Sequence, residues 1–239
     1  MQHETLTYEA DGLTMEGELF FEPTATPRPG VLVYPEAYGL NVHARTRAER
    51  LAGLGYVALA CDLHGHGKVY ADLGESIGML DVLYADPSKT RARAAGGLYT
   101  LAARPEVDRN RIGAIGFCFG GTMGLELARS GADIKAMVGF HSGLATKAPK
   151  TDARAIRARI LVCIGGDDPF IPLAQRAEFE EEMRAAGVDW QMNVYGRTVH
   201  SFTNPTAANA KRPEAVRYSA EADTRSWEAM RGLFAEAFA

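Results

Sequence analysis

Apolar residues along the chain gather into short runs separated by longer stretches with helical spacing. Alternation of apolar and polar positions over 4–9 and 13–21, on either side of Asp11-Gly12, predicts an opening β-hairpin. The apolar runs at 30–34, 56–61, 111–115, 136–140 and 160–164 read as buried strands, and 190–195 reads as a strand. Helices are expected over 42–54, 88–103, 122–129, 172–186 and 213–238. Gly55 ends the first of these, and the second stops before Pro105. Residues 62–85, rich in glycine and histidine, read as irregular. Strands alternating with helices after a hairpin predict the α/β class. The expected architecture is a doubly wound, mostly parallel central sheet of about eight strands, with an antiparallel N-terminal hairpin and helices on both faces. No repeat, low-complexity tract or linker divides the chain, so one domain over 1–239 is expected.

Composition narrows the function classes. With 239 residues, 46% hydrophobic and 23% charged, the chain can bury a core without disulfides or metals. A net charge of −4 argues against nucleic acid or an anionic membrane as the partner. Three cysteines at wide spacing form neither a disulfide framework nor a zinc pattern. Met1-Gln2-His3-Glu4-Thr5 has neither the basic nor the apolar stretch of a secretory signal, and no apolar run approaches the roughly 18 residues of a membrane span. A cytoplasmic, reducing setting is therefore expected, which suits a working thiol. The oligomeric state is left open.

The chemistry centres on Gly116-Phe117-Cys118-Phe119-Gly120-Gly121, which lies between a strand-like run and a helix-like one. This is the G-x-S-x-G nucleophile elbow with sulfur in place of oxygen. Small residues at 116, 120 and 121 permit the sharp turn and close backbone approach. A thiol at a helix N-terminus feels the positive end of the dipole, which favours the reactive thiolate. The Phe119 N–H would then face a tetrahedral oxyanion. The hexapeptide alone also fits a buried structural cysteine.

A cysteine nucleophile needs a base, and the base needs an orienting carboxylate. In an open α/β sheet both belong on loops at the carboxyl ends of later strands. The loop after 160–164 carries Gly165-Gly166-Asp167-Asp168-Pro169-Phe170-Ile171-Pro172, and the loop after 190–195 carries Gly196-Arg197-Thr198-Val199-His200-Ser201-Phe202. The order nucleophile, acid, histidine is that of the α/β-hydrolase triad. Spacing alone does not separate Asp168 from Asp167. The other histidines fit less well: His3 is near the terminus, His43 reads as helix surface, and His64, His66 and His141 come too early.

Residues 107–121, the Gly-Gly-x-Asp-x-Phe-x-Pro segment at 165–172 and His200-Ser201-Phe202 resemble the dienelactone hydrolase family over nearly the whole chain. The resemblance implies an α/β-hydrolase fold and cofactor-independent hydrolysis of a small ester or lactone. It carries the nucleophile to Cys118, the acid to Asp168 and the base to His200. It matches Glu36, in Tyr34-Pro35-Glu36-Ala37-Tyr38-Gly39, to a glutamate that interacts with the resting thiol and moves when substrate binds. A carboxylate there would disfavour the thiolate until displaced. Ala37 would supply a second oxyanion N–H beside that of Phe119.

Two positions depart from the family. Asn204 and, as the best match, His66 stand where arginines hold the carboxylate of dienelactone, and an amide and a histidine cannot reproduce two bidentate forks. His66, His141, Ser201 and Asn204 are thus candidate pocket residues. His64 and His66 with Asp62 could alternatively bind a metal, but two histidines on a loop are weak grounds, and no metal is expected. Cys61 and Cys163 read as core thiols. The resulting expectation is a Cys-His-Asp carboxylic ester or lactone hydrolase with an acyl-cysteine intermediate. A thioesterase or peptidase on the same fold, or a non-catalytic sensor retaining the triad, are the alternatives.

Overall fold

The alternating segments become β1 (Gln2–Ala10) and β2 (Leu13–Phe21), paired antiparallel in the computed structural model, which describes residues 1–239 apart from the side chains of Leu73 and Asn209. The connecting residues Asp11 and Gly12 have φ of 52° and 70°, as a tight two-residue hairpin requires. Next come β3 (Arg28–Tyr34), α1 (Val42–Gly53), β4 (Val57–Ala60), α2 (Leu73–Ala85) and α3 (Pro87–Ala102). They are followed by β5 (Val107–Phe117), α4 (Phe119–Arg129), β6 (Ala136–Phe140) and β7 (Arg159–Gly165). The chain closes with α5 (Leu173–Ala186), β8 (Trp190–Tyr195) and α6 (Ala220–Ala237).

All eight strands join one sheet in the order β1-β2-β4-β3-β5-β6-β7-β8, with β2 antiparallel to β4 and every later pairing parallel. Successive side chains alternate between two cores, as the period of a strand dictates. Leu32 and Ile112 pack with α3, α4 and α5 on one face, while Val33 and Ile115 pack with α1 and α6 on the other. The parallel register aligns the strand ends: Tyr34 opposite Gly116, Phe117 opposite Phe140, and Gly165 opposite Tyr195. Loops leaving β3, β5, β7 and β8 therefore open at one edge of the sheet, where ligands of such sheets bind.

Two expectations are corrected. Within 62–85, expected to be irregular, residues Leu73–Ala85 form α2. Its glycines and its apolar residues on both faces (Leu80 and Leu83 buried, Ile77 and Val82 exposed) hide the helical period. Its start is marked only by Asp72, whose carboxylate accepts the Gly74 N–H. The last helix begins at Ala220, not near 213, because Ser219 caps it and accepts the Ala222 N–H. The residues before it are used elsewhere: Ala215 accepts the His200 N–H, and Arg217 donates to the His200 carbonyl. None of the described helices is long and apolar enough to cross a membrane.

Candidate active site

Cys118 sits between β5 and α4 with φ 53° and ψ −120°, a backbone conformation rare for any residue with a side chain. Such strain persists only where the surroundings impose it. A Cβ at Gly120 would lie 2.3 Å from the Tyr34 carbonyl oxygen, and one at Gly116 would lie 2.2 Å from that of Gly120. Only glycine allows these approaches. The Cys118 N–H is shared by the Phe140 carbonyl at 3.0 Å and His141 Nδ1 at 3.2 Å. Phe119, as the first residue of α4, has an N–H without an intrahelical acceptor.

His200 Nδ1 lies 2.8 Å from Asp168 Oδ2, and the other Asp168 oxygen accepts the Phe170 N–H at 2.9 Å. Asp168 is buried, whereas the Asp167 side chain is exposed, so the structure brings Asp168 rather than its neighbour to the imidazole. His200 also interacts with the Cys118 sulfur, with which it shares a cavity, and is flanked edge-on by Phe170 and His141. Burial opposes charge on this ring, but the Cys118 sulfur and the Asp168 carboxylate outweigh it and push the His200 pKa up to about 10. The native state thus holds this proton more tightly than the unfolded chain. The resulting stability is complete below about pH 6.5 and is lost as pH rises through about 10. His200 ring resonances should titrate near pH 10, with the midpoint falling in Cys118→Ala. A wild-type midpoint at the ordinary value of about 6.5 would contradict this arrangement.

Glu36 is buried, and its oxygens accept Ser201 Oγ at 2.9 Å and Asn204 Nδ2 at 2.5 Å. Ser201 and Asn204 thus hold the carboxylate while both border a cavity. His43, expected on a helix surface, is instead buried, with Nδ1 3.7 Å from Glu36 Oε2 and Arg47 Nε donating to its Nε2. Burial and the Arg47 charge lower its pKa although Glu36 acts the other way, which leaves the ring neutral. His43 and Arg47 share the buried face of α1 with Ala44, Ala48 and Leu51.

A cavity of about 440 Å³ opens over Cys118, Phe119, Ala37 and His200. Its walls are largely apolar, from Ile77, Leu80 and Tyr84 of α2 to Phe170, Ile171 and Val216. The lining contains two carboxylates, Glu36 and Asp81, and no lysine or arginine. Two pocket expectations are corrected. His66 is exposed and does not border the cavity, because the left-handed turn Gly65-His66-Gly67 sends its side chain outward while its N–H donates to Thr14 O. His141 is fully buried behind the nucleophile: Nδ1 accepts the Cys118 N–H, so Nε2 carries the proton that meets Thr203 Oγ1 at 2.8 Å. Burial, followed by the positive charges of His200 and Arg47, lowers the His141 pKa well below its usual range and keeps this tautomer neutral.

The Asp62 carboxylate is occupied by the N–H groups of Glu16, His64, Gly65 and Gly67, so it shapes a loop. His64 Nε2 bonds the Ala37 carbonyl at 2.8 Å, fixing the chain next to the expected oxyanion donor. No cluster of potential metal ligands occurs among the described residues. Cys61 and Cys163 are buried in the sheet, as expected of core thiols, and burial raises the pKa of each well above its ordinary value.

The sequence matches the model of the dienelactone hydrolase family over residues 16–238. A probable 2-oxo-3-(5-oxofuran-2-ylidene)propanoate lactonase of Bradyrhizobium sp is 31% identical over 191 residues, covering 75% of this chain and 76% of the relative. The solved structure of m3DLH superposes with a TM-score of 0.95 at 47% identity, covering 100% of this chain and 99% of the other. A dienelactone hydrolase-like promiscuous phosphotriesterase from metagenomic libraries also reaches 0.95, at 43% identity and the same coverage.

Proposed function

The chain belongs to the dienelactone hydrolase family and is a hydrolase of the ester and lactone class, and from this premise we propose that it cleaves carboxylic esters or lactones through a Cys118-His200-Asp168 triad and an acyl-cysteine intermediate. The observation that carries the reading is the continuous line from Asp168 through His200 to a strained, half-buried Cys118 at the mouth of α4.

With its pKa raised to about 10, His200 carries the proton it shares with Cys118 before substrate is attacked, and the sulfur attacks the carbonyl carbon. The N–H groups of Phe119 and Ala37 hold the oxyanion, each lowering the barrier by about 3–4 kcal/mol. Asp168 keeps the His200 proton on Nδ1 and stabilises the imidazolium. Imidazolium gives its proton to the departing alkoxide as the thioester forms. Acylation removes the negative charge from sulfur, and with it a major cause of the raised His200 pKa. The ring is then free to act as base toward water, which releases the acid and restores the thiol. No cofactor enters these steps.

A short p-nitrophenyl ester should be turned over repeatedly without added metal, and prior treatment with iodoacetamide should abolish this. Release of a single equivalent followed by arrest would support a non-catalytic sensor instead. The absence of lysine and arginine from the cavity also favours a second activity on neutral phosphotriesters, by the same attack of sulfur with loss of an aryloxide.

A further inference from the structure

A second cavity of about 300 Å³ abuts the first across Glu36, Tyr38, Ser201 and Val216, which border both. Its remaining walls are more polar and include Asn41, Tyr70, Asn204 and Thr206. Neither lobe is lined by lysine or arginine. Glu36 stands on the partition with only neutral partners: the Ser201 hydroxyl, the Asn204 amide and, at 3.7 Å, the His43 ring. Arg47 contacts the opposite nitrogen of His43 and is paired with Asp223 at 2.9 Å. Lys68 is exposed, rests on the Tyr70 ring and borders neither lobe. The Glu36 carboxylate therefore has no lysine or arginine paired with it where a substrate would pass from one lobe to the other.

We infer that Glu36 is a specificity residue, selecting esters that place an apolar arm in the larger lobe and an ammonium-bearing arm in the smaller one, and rejecting esters whose second arm is an anion. A buried carboxylate repels a second negative charge with little screening. Tyr38, on the partition beside Glu36, supplies an aromatic surface that attracts an ammonium ion. The hydroxyl and amide that steady Glu36 leave its charge intact, so they hold it without cancelling its field. This inference rests on the reading of Cys118 as the nucleophile only for its kinetic readout.

The test uses three p-nitrophenyl esters with acyl chains of equal length ending in a trimethylammonium, a tert-butyl or a carboxylate group. In the wild type, kcat/KM should be about tenfold higher for the ammonium ester than for the tert-butyl ester, and at least about tenfold lower again for the carboxylate. Glu36→Gln should bring the three within about threefold of one another; because the comparison is between esters, any general change in thiol reactivity cancels. Asp81→Asn should leave the order intact, and raised salt should not erase it, since Asp81 is exposed and screened whereas Glu36 is buried. Calorimetric binding of the matching p-nitroanilides must follow the same order, which reads the charge preference even if ester turnover does not depend on Cys118. Equal binding of the three anilides, or a preference that survives Glu36→Gln and disappears in Asp81→Asn, would overturn the assignment. Loss of Cys118-dependent turnover with the binding order retained would instead overturn only the proposed mechanism.

Discussion

Cys118→Ala should lower kcat for a short p-nitrophenyl ester by roughly 10⁴- to 10⁶-fold. The substitution deletes one sulfur atom and nothing else. The strained φ of 53° is held by Gly116, Gly120 and the divided Cys118 N–H, all of which are retained. The variant should therefore fold with unchanged circular dichroism. What remains is an oxyanion hole and a binding cavity without a nucleophile, and such remnants accelerate hydrolysis only modestly. Equal rates for wild type and variant would show that the ester is cleaved without attack by sulfur.

Asp168→Asn should cost about 10⁴-fold in kcat, while Asp167→Asn should stay within about twofold of wild type. The amide is nearly isosteric and can keep the bond from the Phe170 N–H. Toward His200, however, its NH2 group would donate where the carboxylate accepts, forcing the ring proton onto Nε2. With the neutral ring protonated on Nε2 and the imidazolium no longer stabilised by a carboxylate, His200 can neither draw the Cys118 proton nor act as base toward water. The Asp167 side chain is exposed, and its loop is anchored through its backbone N–H to Thr198 O, which the substitution leaves alone. The reverse result would transfer the acid role to Asp167.

The architecture was legible where one physical signal dominated. Strands such as 136–140 and 190–195 announce themselves by short apolar or alternating runs, and their boundaries agree with β6 and β8. Helix α2 was not legible, because a helix with apolar residues on both faces and two internal glycines has no single stripe to read. The onset of α6 depended on a competition between helix formation by 213–219 and pairing of 215–217 with the His200 loop, a contact across about 15 residues that local propensity does not register.

The candidate site divides in the same way. Cys118, the acid pair and His200 could be placed because parallel topology sends the loops after β5, β7 and β8 to one edge. The choice between Asp167 and Asp168 depends on which side chain a turn points inward, and adjacent residues carry equal sequence evidence. His141 and His43 were misplaced for a related reason. Their environments are made by Thr203, sixty or more positions away in the chain, and by the backs of β5 and α1. His66 was expected near substrate from its position after β4, but one left-handed turn reverses its direction.

The most direct test of the account is the mass of the enzyme during turnover. Acid quenching within the first turnovers of p-nitrophenyl butyrate, followed by intact-mass and peptide analysis, should reveal a single added butyryl group on the peptide carrying Cys118. Hydroxylamine should remove it, and it should be absent in Cys118→Ala. Turnover with Cys118 unmodified at every quench time, or a butyryl group on another residue that is chemically and kinetically competent, would contradict it.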